Sequence, residues 1–148
     1  MSANYTYFVE ISSPSCNPII LGDESNAQNK DVIGIEIFFD TIDNDVRQKA
    51  GGMLAKIKII GEIKESTQKS LVELFNWSKE LDGDKWYRKV EIKILSGGEL
   101  KRNYSFENMF VVDYKEIYKV SGTQDREQFE LYLTQQENDF TNIETYAI

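Results

Sequence analysis

Alternation of apolar and polar positions dominates the sequence and predicts that most of the chain forms β-strands. In residues 32–42, for example, Ile33, Ile35 and Ile37 occupy every second position. A period of two is the spacing of side chains on one face of a strand. Patterns of this kind predict eight strands, over residues 5–11, 19–21, 32–42, 53–63, 86–95, 100–106, 109–120 and 128–135.

One segment breaks the alternation and predicts a helix over residues 66–80. Its apolar residues recur at three- and four-residue spacing, which places them on one face of an α-helix. Ser66 and Thr67 are favourable residues for its N-terminus. The residues predicted to face the core from this helix are Leu71, Leu74, Phe75 and Trp77.

Short strands joined by turns, with a single helix among them, favour a mainly β fold. We expect one antiparallel β-barrel of about eight strands, flanked by the helix. Strands do not alternate regularly with helices, so a parallel α/β sheet is not expected. At 148 residues the chain is expected to form one domain over residues 1–148, with a flexible polar tail at 139–148.

A long polar connection, residues 41–54, separates two of the predicted strands. Connections of this length are often functional. It could be a flexible hairpin end, or it could be a projecting arm that contacts a neighbouring subunit. In the second case the contacts would come from its charged residues, Asp43, Asp45, Arg47 and Lys49.

The charge balance argues against several classes of partner. The chain has 25 acidic and 17 basic residues, a formal net charge of −8. Such a chain, without a cluster of Lys and Arg, repels phosphate backbones and anionic membranes, so no nucleic-acid partner is expected. No apolar run approaches the roughly 20 residues that span a bilayer, and the N-terminus shows no signal-peptide pattern. We therefore expect cytoplasmic synthesis and assembly.

The residues that most catalytic and metal sites require are missing. The sequence contains no histidine and a single cysteine, Cys16, which excludes Ser-His-Asp and Cys-His catalysis and paired-cysteine zinc sites. The neighbouring carboxylates that could act as an acid/base pair all lie in predicted turns, where solvated turn residues are the simpler interpretation. We therefore expect no enzyme, no catalytic residue, no metal site and no cofactor. The carboxylates concerned are Asp23 with Glu24, Asp43 with Asp45, and Asp82 with Asp84.

Three short sequence motifs in the second half of the chain resemble those of a known family in their order and spacing. They are Phe75-Asn-Trp-Ser78, Trp86-Tyr-Arg-Lys-Val90 and Tyr104-Ser-Phe-Glu-Asn-Met-Phe-Val-Val-Asp-Tyr114. The sequence is similar to the inner-tube proteins of contractile injection systems, which include phage tail-tube proteins and the Hcp tube protein of type VI secretion. Its pattern is most like that of a clostridial-type, tube-like subgroup, and the resemblance covers residues 55–135. The motif residues on the predicted strands are Trp86, Tyr87, Arg88, Val90, Asn108, Phe110, Val112, Asp113 and Tyr114.

The resemblance implies a structural subunit that assembles with itself. It implies a hexameric ring, rings stacked into a hollow tube, sheath and baseplate proteins as partners, cargo in the lumen, and export as part of the particle. The row formed by Lys89, Glu91 and Lys93 is one candidate for the lumenal face. Two alternatives stay open: a stand-alone β-barrel that binds a small ligand or an effector, and a hub or initiator subunit that forms a ring without polymerising.

Overall fold

A computed structural model describes residues 5–41, 53–119, 127–135 and 144–147. A 3-10 turn, Glu65–Thr67, leads into helix α1, Gln68–Ser78, and a four-residue helix, α2, spans Gly83–Trp86. The mainly β class with one long helix is therefore confirmed. The strands are β1 Tyr5–Ser13, β2 Cys16–Leu21, β3 Val32–Thr41, β4 Met53–Glu62, β5 Arg88–Ser96, β6 Glu99–Ile117, β7 Gln128–Gln135 and β8 Glu144–Ala147.

Seven of these strands form one antiparallel sheet, in the order β2-β1-β5-β6-β7-β4-β3, and β8 pairs with β6 beside it. The 19-residue β6 joins the two halves of the sheet, because its first half pairs with β5 and its second half with β7. In the part of the chain that the structure describes, the end strands β2 and β3 do not pair with each other. The predicted barrel is therefore open rather than closed.

The long β6 replaces two strands of the sequence prediction. A break was expected at Glu107 and Asn108, but the strand runs through both residues. Asn108 has φ of 55°, in the left-handed region that asparagine tolerates better than most residues, and the β5–β6 register shifts beside it. The irregularity is thus absorbed as a bulge instead of ending the strand.

The C-terminal strand differs from the flexible tail expected over residues 139–148. β8 pairs with the first half of β6, from Arg102 opposite Ala147 to Ser105 opposite Glu144. Four residues of the expected tail are therefore held in a strand. Residues 136–143 and 148 lie outside the described part of the chain.

The strand predicted over residues 86–95 begins two residues later, at Arg88. The carbonyl of Asp82 accepts hydrogen bonds from the amides of Lys85 at 2.9 Å and Trp86 at 3.1 Å, which makes a helical turn of the preceding residues. The indole N–H of Trp86 also donates to the carbonyl of Glu80. Trp86 therefore belongs to α2 and not to the face of β5.

The core collects alternate residues from all seven strands of the sheet, and α1 packs against it. Burying one such aliphatic or aromatic side chain completely stabilises the fold by about 1.5–3 kcal/mol. The largest fully buried side chains are Phe106, Phe129, Ile11, Ile19, Leu21, Ile57, Ile59, Leu74, Ile92, Met109, Leu131 and Leu133.

One of the four residues predicted to face the core from the helix does not. Leu71, Leu74 and Trp77 are buried, but Phe75 is 52% exposed. With 3.6 residues per turn, Phe75 lies about 100° around the helix from Leu74, the middle residue of the buried stripe. Phe75 is therefore at the border of this stripe. Its ring packs instead against the side chain of Lys79, whose Nζ lies 5.3 Å from the ring centroid.

The turn that leads into α1 depends on the buried hydroxyl of Thr67, and we expect its loss to be measurable. The hydroxyl oxygen accepts from the amide of Lys64 at 3.0 Å, and the hydroxyl donates to the carbonyl of Glu62 at 2.9 Å. Thr67→Val keeps the shape but leaves these groups without that partner, so the free energy of unfolding should fall by about 1–2 kcal/mol in urea denaturation. Thr67→Ser retains the hydroxyl and serves as control; equal losses in both variants would contradict this role of the hydroxyl.

Candidate assembly surface

The two ends of the sheet differ in how well their edges are protected. β2 is a short strand that contains Pro18, which has no N–H to donate. The hydroxyl of Ser70, on α1, donates to the carbonyl of Ile20 at 2.6 Å. A short strand with a proline and a helix beside it is a poor template for pairing with another chain.

β3 has none of these protections within the described residues. It is ten residues long, contains no proline, and pairs only with β4. Near its end, Phe38 is 47% and Phe39 is 52% exposed, and Ile33 is also exposed. A long apolar edge strand readily pairs with another chain. Among the strands that the structure describes, β3 is therefore the one best suited to contact a second subunit.

The exposed aromatic residues of β3 lie on both faces of the sheet. Phe38 is opposite Lys56 and Phe39 is opposite Ala55, and successive residues of a strand point to opposite faces. They stand just before the connection predicted to form a contact arm. Its charged residues, Asp43, Asp45, Arg47 and Lys49, lie outside the described residues, so the arm stays a prediction.

The face opposite the core carries a row of alternating charges across β3, β4, β7 and β6. Glu36 is opposite Lys58 in the β3–β4 register. Nζ of Lys58 lies 3.7 Å from Oε1 of Glu130, and Nζ of Lys115 lies 3.3 Å from its Oε2. Desolvation lowers the pKa of Lys58, but Tyr132 and the two carboxylates outweigh it and raise this pKa above its ordinary value. The row compensates its own charge and leaves the face polar.

The lysines of the candidate lumenal row on β5 have different partners. Nζ of Lys89 lies 3.8 Å from the carboxylate of Glu107 on β6, a contact between neighbouring strands. Nζ of Lys93 lies 3.0 Å from Glu24, in the loop after β2. That loop is held against β1, because the hydroxyl of Thr6 donates to the carbonyl of Ala27 at 2.9 Å.

Several motif residues of the family resemblance meet at the C-terminal end of α1. Arg88 is buried, with its guanidinium carbon 5.2 Å from the Trp77 ring centroid, and its Nε donates to the carbonyl of Lys85 at 3.1 Å. The rings of Tyr87 and Phe110 meet edge to face at 5.8 Å. The motif therefore describes an aromatic cluster between α1, α2 and β6 more than a pair of strand faces.

The remaining motif residues lie on β5 and β6. Val90 is buried in the core, whereas Val112 and Asp113 are exposed at a shift of the β6–β7 register. The hydroxyl of Tyr114 donates to the carboxylate of Glu116 at 2.5 Å. Burial, and then this hydrogen bond, raise the pKa of Tyr114.

The carboxylate of Glu116 has a second tyrosine partner that the sequence patterns did not indicate. The hydroxyl of Tyr118 donates to it at 2.7 Å, and this bond is the main cause that raises the pKa of Tyr118. Tyr114, Glu116 and Tyr118 follow one another at every second position of the chain, which is the only sequence signal for this cluster.

Two further observations concern the described residues alone. No helix among them has both the length and the apolar character needed to cross a membrane. No group of three histidine, cysteine, aspartate or glutamate side chains among them is arranged as a set of metal ligands.

Comparison with known proteins identifies this fold in solved structures. No protein-family model matches the sequence, and no curated protein matches it. The chain is similar to a structure described as Hcp protein, with a TM-score of 0.62, 11% identity, and coverage of 96% of this chain and 98% of that one. It is also similar to Hcp1 from Salmonella typhimurium, with a TM-score of 0.60, 10% identity, and coverage of 99% and 87%.

A third similar structure comes from an assembled particle. It is a chain of the PVC sheath–tube complex of an extracellular contractile injection system in the extended state, with a TM-score of 0.55 and 14% identity. The similarity covers 96% of this chain and 88% of that one. At such low identities the likeness establishes the fold, which is that of Hcp proteins and of components of contractile injection systems.

Proposed function

We propose that this chain is a structural subunit whose copies assemble into a hexameric ring, and that the rings stack into the hollow inner tube of a contractile injection particle. The observation that carries the proposal is the nearly full-length fold similarity to Hcp protein and to a chain of a sheath–tube complex. The open, apolar edge of β3 supports it, because self-assembly needs such a surface. In this role the chain acts through its shape and carries out no reaction.

The ring closes by head-to-tail contacts, in which β3 of one subunit meets a different surface of the next. Contacts of this heterologous kind form a ring when the rotation between subunits closes. The apolar edge of β3 is then covered in every subunit of the ring. Further partners in this proposal are sheath and baseplate proteins outside the ring and cargo in the lumen.

The polar face of the sheet lines the lumen in this arrangement. It carries the row of Glu36, Lys58, Glu130 and Lys115, in which each charge has an opposite charge beside it. A self-compensated row offers little net attraction to a passing cargo of either sign. The particle would carry the protein out of the cell as one of its parts.

A pair of double variants tests whether the β3 edge drives assembly. Phe38→Lys with Phe39→Lys adds two charges to the edge, and we expect it to abolish rings and tubes seen by negative-stain electron microscopy. The matched control, Val72→Lys with Phe75→Lys, replaces two equally exposed residues on α1 and should assemble like the wild type. Both residues of the edge pair are half exposed, so the melting temperature of the edge variant should change by only a few degrees.

The outcomes separate the proposal from its alternatives. Wild-type rings in the edge variant would contradict the role of β3. Loss of rings in the control variant alone would indicate that the contact between subunits lies on α1 instead. The binding-module alternative predicts an apolar cavity inside the barrel, but large side chains such as Phe106 and Phe129 are fully buried in the core. Among the described residues, these side chains fill the core where that alternative requires a cavity.

A further inference from the structure

A cleft of 330 Å³ opens at the C-terminal end of α1 and takes no part in the β3 edge. Pockets of this size can hold a single side chain or a small ligand. Four of its seven lining residues are aromatic, and one is a carboxylate. The lining residues are Trp77, Ser78, Glu80, Trp86, Tyr87, Phe110 and Val111.

The hydrogen-bond donors around the cleft are mostly used within the protein. The indole N–H of Trp77 donates to the carbonyl of Trp86 at 2.9 Å, and that of Trp86 donates to the carbonyl of Glu80. The hydroxyl of Ser78 donates to the carbonyl of Phe75 at 2.6 Å. Three side-chain donors that line the cleft are thus used within the protein, and its lining side chains present mainly ring faces to a ligand. An anionic ligand would find few groups to bind.

The electrostatic environment of the cleft favours a positive charge. It lies at the C-terminal end of an eleven-residue helix, where the carbonyl groups carry partial negative charge. Glu80 is one of its lining residues, with Oε1 accepting from the amide of Asp82 at 3.1 Å, and the whole chain has a net charge of −8. The faces of aromatic rings also attract cations.

Contacts between a basic side chain and an aromatic ring already occur within the protein next to the cleft. The guanidinium of Arg88 lies 5.2 Å from the Trp77 ring centroid, and the ammonium of Lys79 lies 5.3 Å from that of Phe75. Basic side chains therefore pack on aromatic rings on both sides of α1 near its end. The cleft offers a further set of rings, of Trp86, Tyr87 and Phe110, without a basic residue among its lining residues.

We propose that this cleft binds the side chain of a lysine or arginine presented by a partner protein. The aliphatic part of that side chain packs between the rings, and its charged head lies against the ring faces and the carboxylate of Glu80. The inference does not rest on the proposed tube, because every residue that lines the cleft belongs to a single chain.

Tryptophan fluorescence can test this proposal directly. The chain contains two tryptophans, and both line the cleft, so selectively excited tryptophan emission reports on it in any state of assembly. The probes are Nα-acetyl-lysine N-methylamide and the norleucine analogue, which lacks only the ammonium group. We expect a saturable change in emission with the lysine probe and an affinity for the norleucine probe that is lower by about five-fold or more.

Two matched variants test the role of the carboxylate. Glu80→Gln should weaken binding of the lysine probe about two- to five-fold and leave the norleucine probe unaffected. Glu73→Gln removes a carboxylate of α1 that does not line this cleft, and should change the affinity for neither probe. Equal affinity for both probes, no saturable change with the lysine probe, or an unchanged affinity in Glu80→Gln would each overturn the proposal.

Discussion

Replacing Trp77 with alanine should lower the free energy of unfolding by about 3–5 kcal/mol, the usual cost of removing a large buried aromatic side chain. The indole is 2% exposed and packs with Leu71 and Leu74 in the core. Its N–H donates to the carbonyl of Trp86, and its ring lies beside the guanidinium of Arg88. The substitution therefore leaves a cavity and removes one partner from the carbonyl of Trp86 and one from the buried guanidinium of Arg88.

Phe75→Ala is the matched control for this prediction, two residues away on the same helix. Its ring is half exposed, so we expect a loss of about 1 kcal/mol or less. Urea denaturation followed by circular dichroism measures both variants without relying on tryptophan emission. Similar losses in the two variants would show that the buried stripe of α1 is not the one formed by Leu71, Leu74 and Trp77.

Gly61→Ala should cost about 2–3 kcal/mol, although it adds a single methyl group. Gly61 lies in β4 directly opposite Phe129 of β7. A Cβ at this position would overlap the Phe129 ring and would stand 2.7 Å from the carbonyl oxygen of Asp31. Phe129 is fully buried, so its ring has little room to move aside.

Gly34→Ala provides a control in the neighbouring strand. Apart from Gly34 itself and its two chain neighbours, no heavy atom of the described residues lies within 4 Å of the Cβ that this substitution adds. Alanine also restricts the unfolded chain, so we expect a change between zero and a gain of about 1 kcal/mol. Thermal and urea unfolding of both variants give the comparison. Wild-type stability of Gly61→Ala would contradict the packing of Phe129 against the β4 backbone.

The sequence pattern predicts the parts of the fold that depend on local alternation. In β4 it places Ala55, Ile57 and Ile59 on one face and Lys56 and Lys58 on the other, and the first three are indeed buried. It identifies the helix for the same reason, since spacing along one element needs no knowledge of the rest of the chain.

The local sequence pattern could not predict features that depend on contacts between residues far apart in the sequence. Phe75 sits at the border of the helical stripe, and only packing against the sheet decides that it lies outside. The four residues of β8 are too few to show a period, and their strand exists because β6 pairs with them. The order of the strands likewise depends on pairs far apart in sequence, such as Tyr5 with Ser96.

The sequence pattern likewise could not predict the aromatic cleft, because its residues come from separate elements. Family resemblance singled out Trp86, Tyr87 and Phe110 one by one, as strand residues, but not as neighbours. They meet because α1 packs against β6 and because Trp86 is held in α2. Glu80 was missed, since a carboxylate just after a helix is normally an exposed surface group.

The mass of the purified protein in solution, measured by light scattering over a range of concentrations, tests the central proposal most directly. The proposed tube subunit predicts six times the 17.1 kDa of a single chain, or whole multiples of that mass as rings stack. The mass of a single chain at every concentration would contradict self-assembly into a ring.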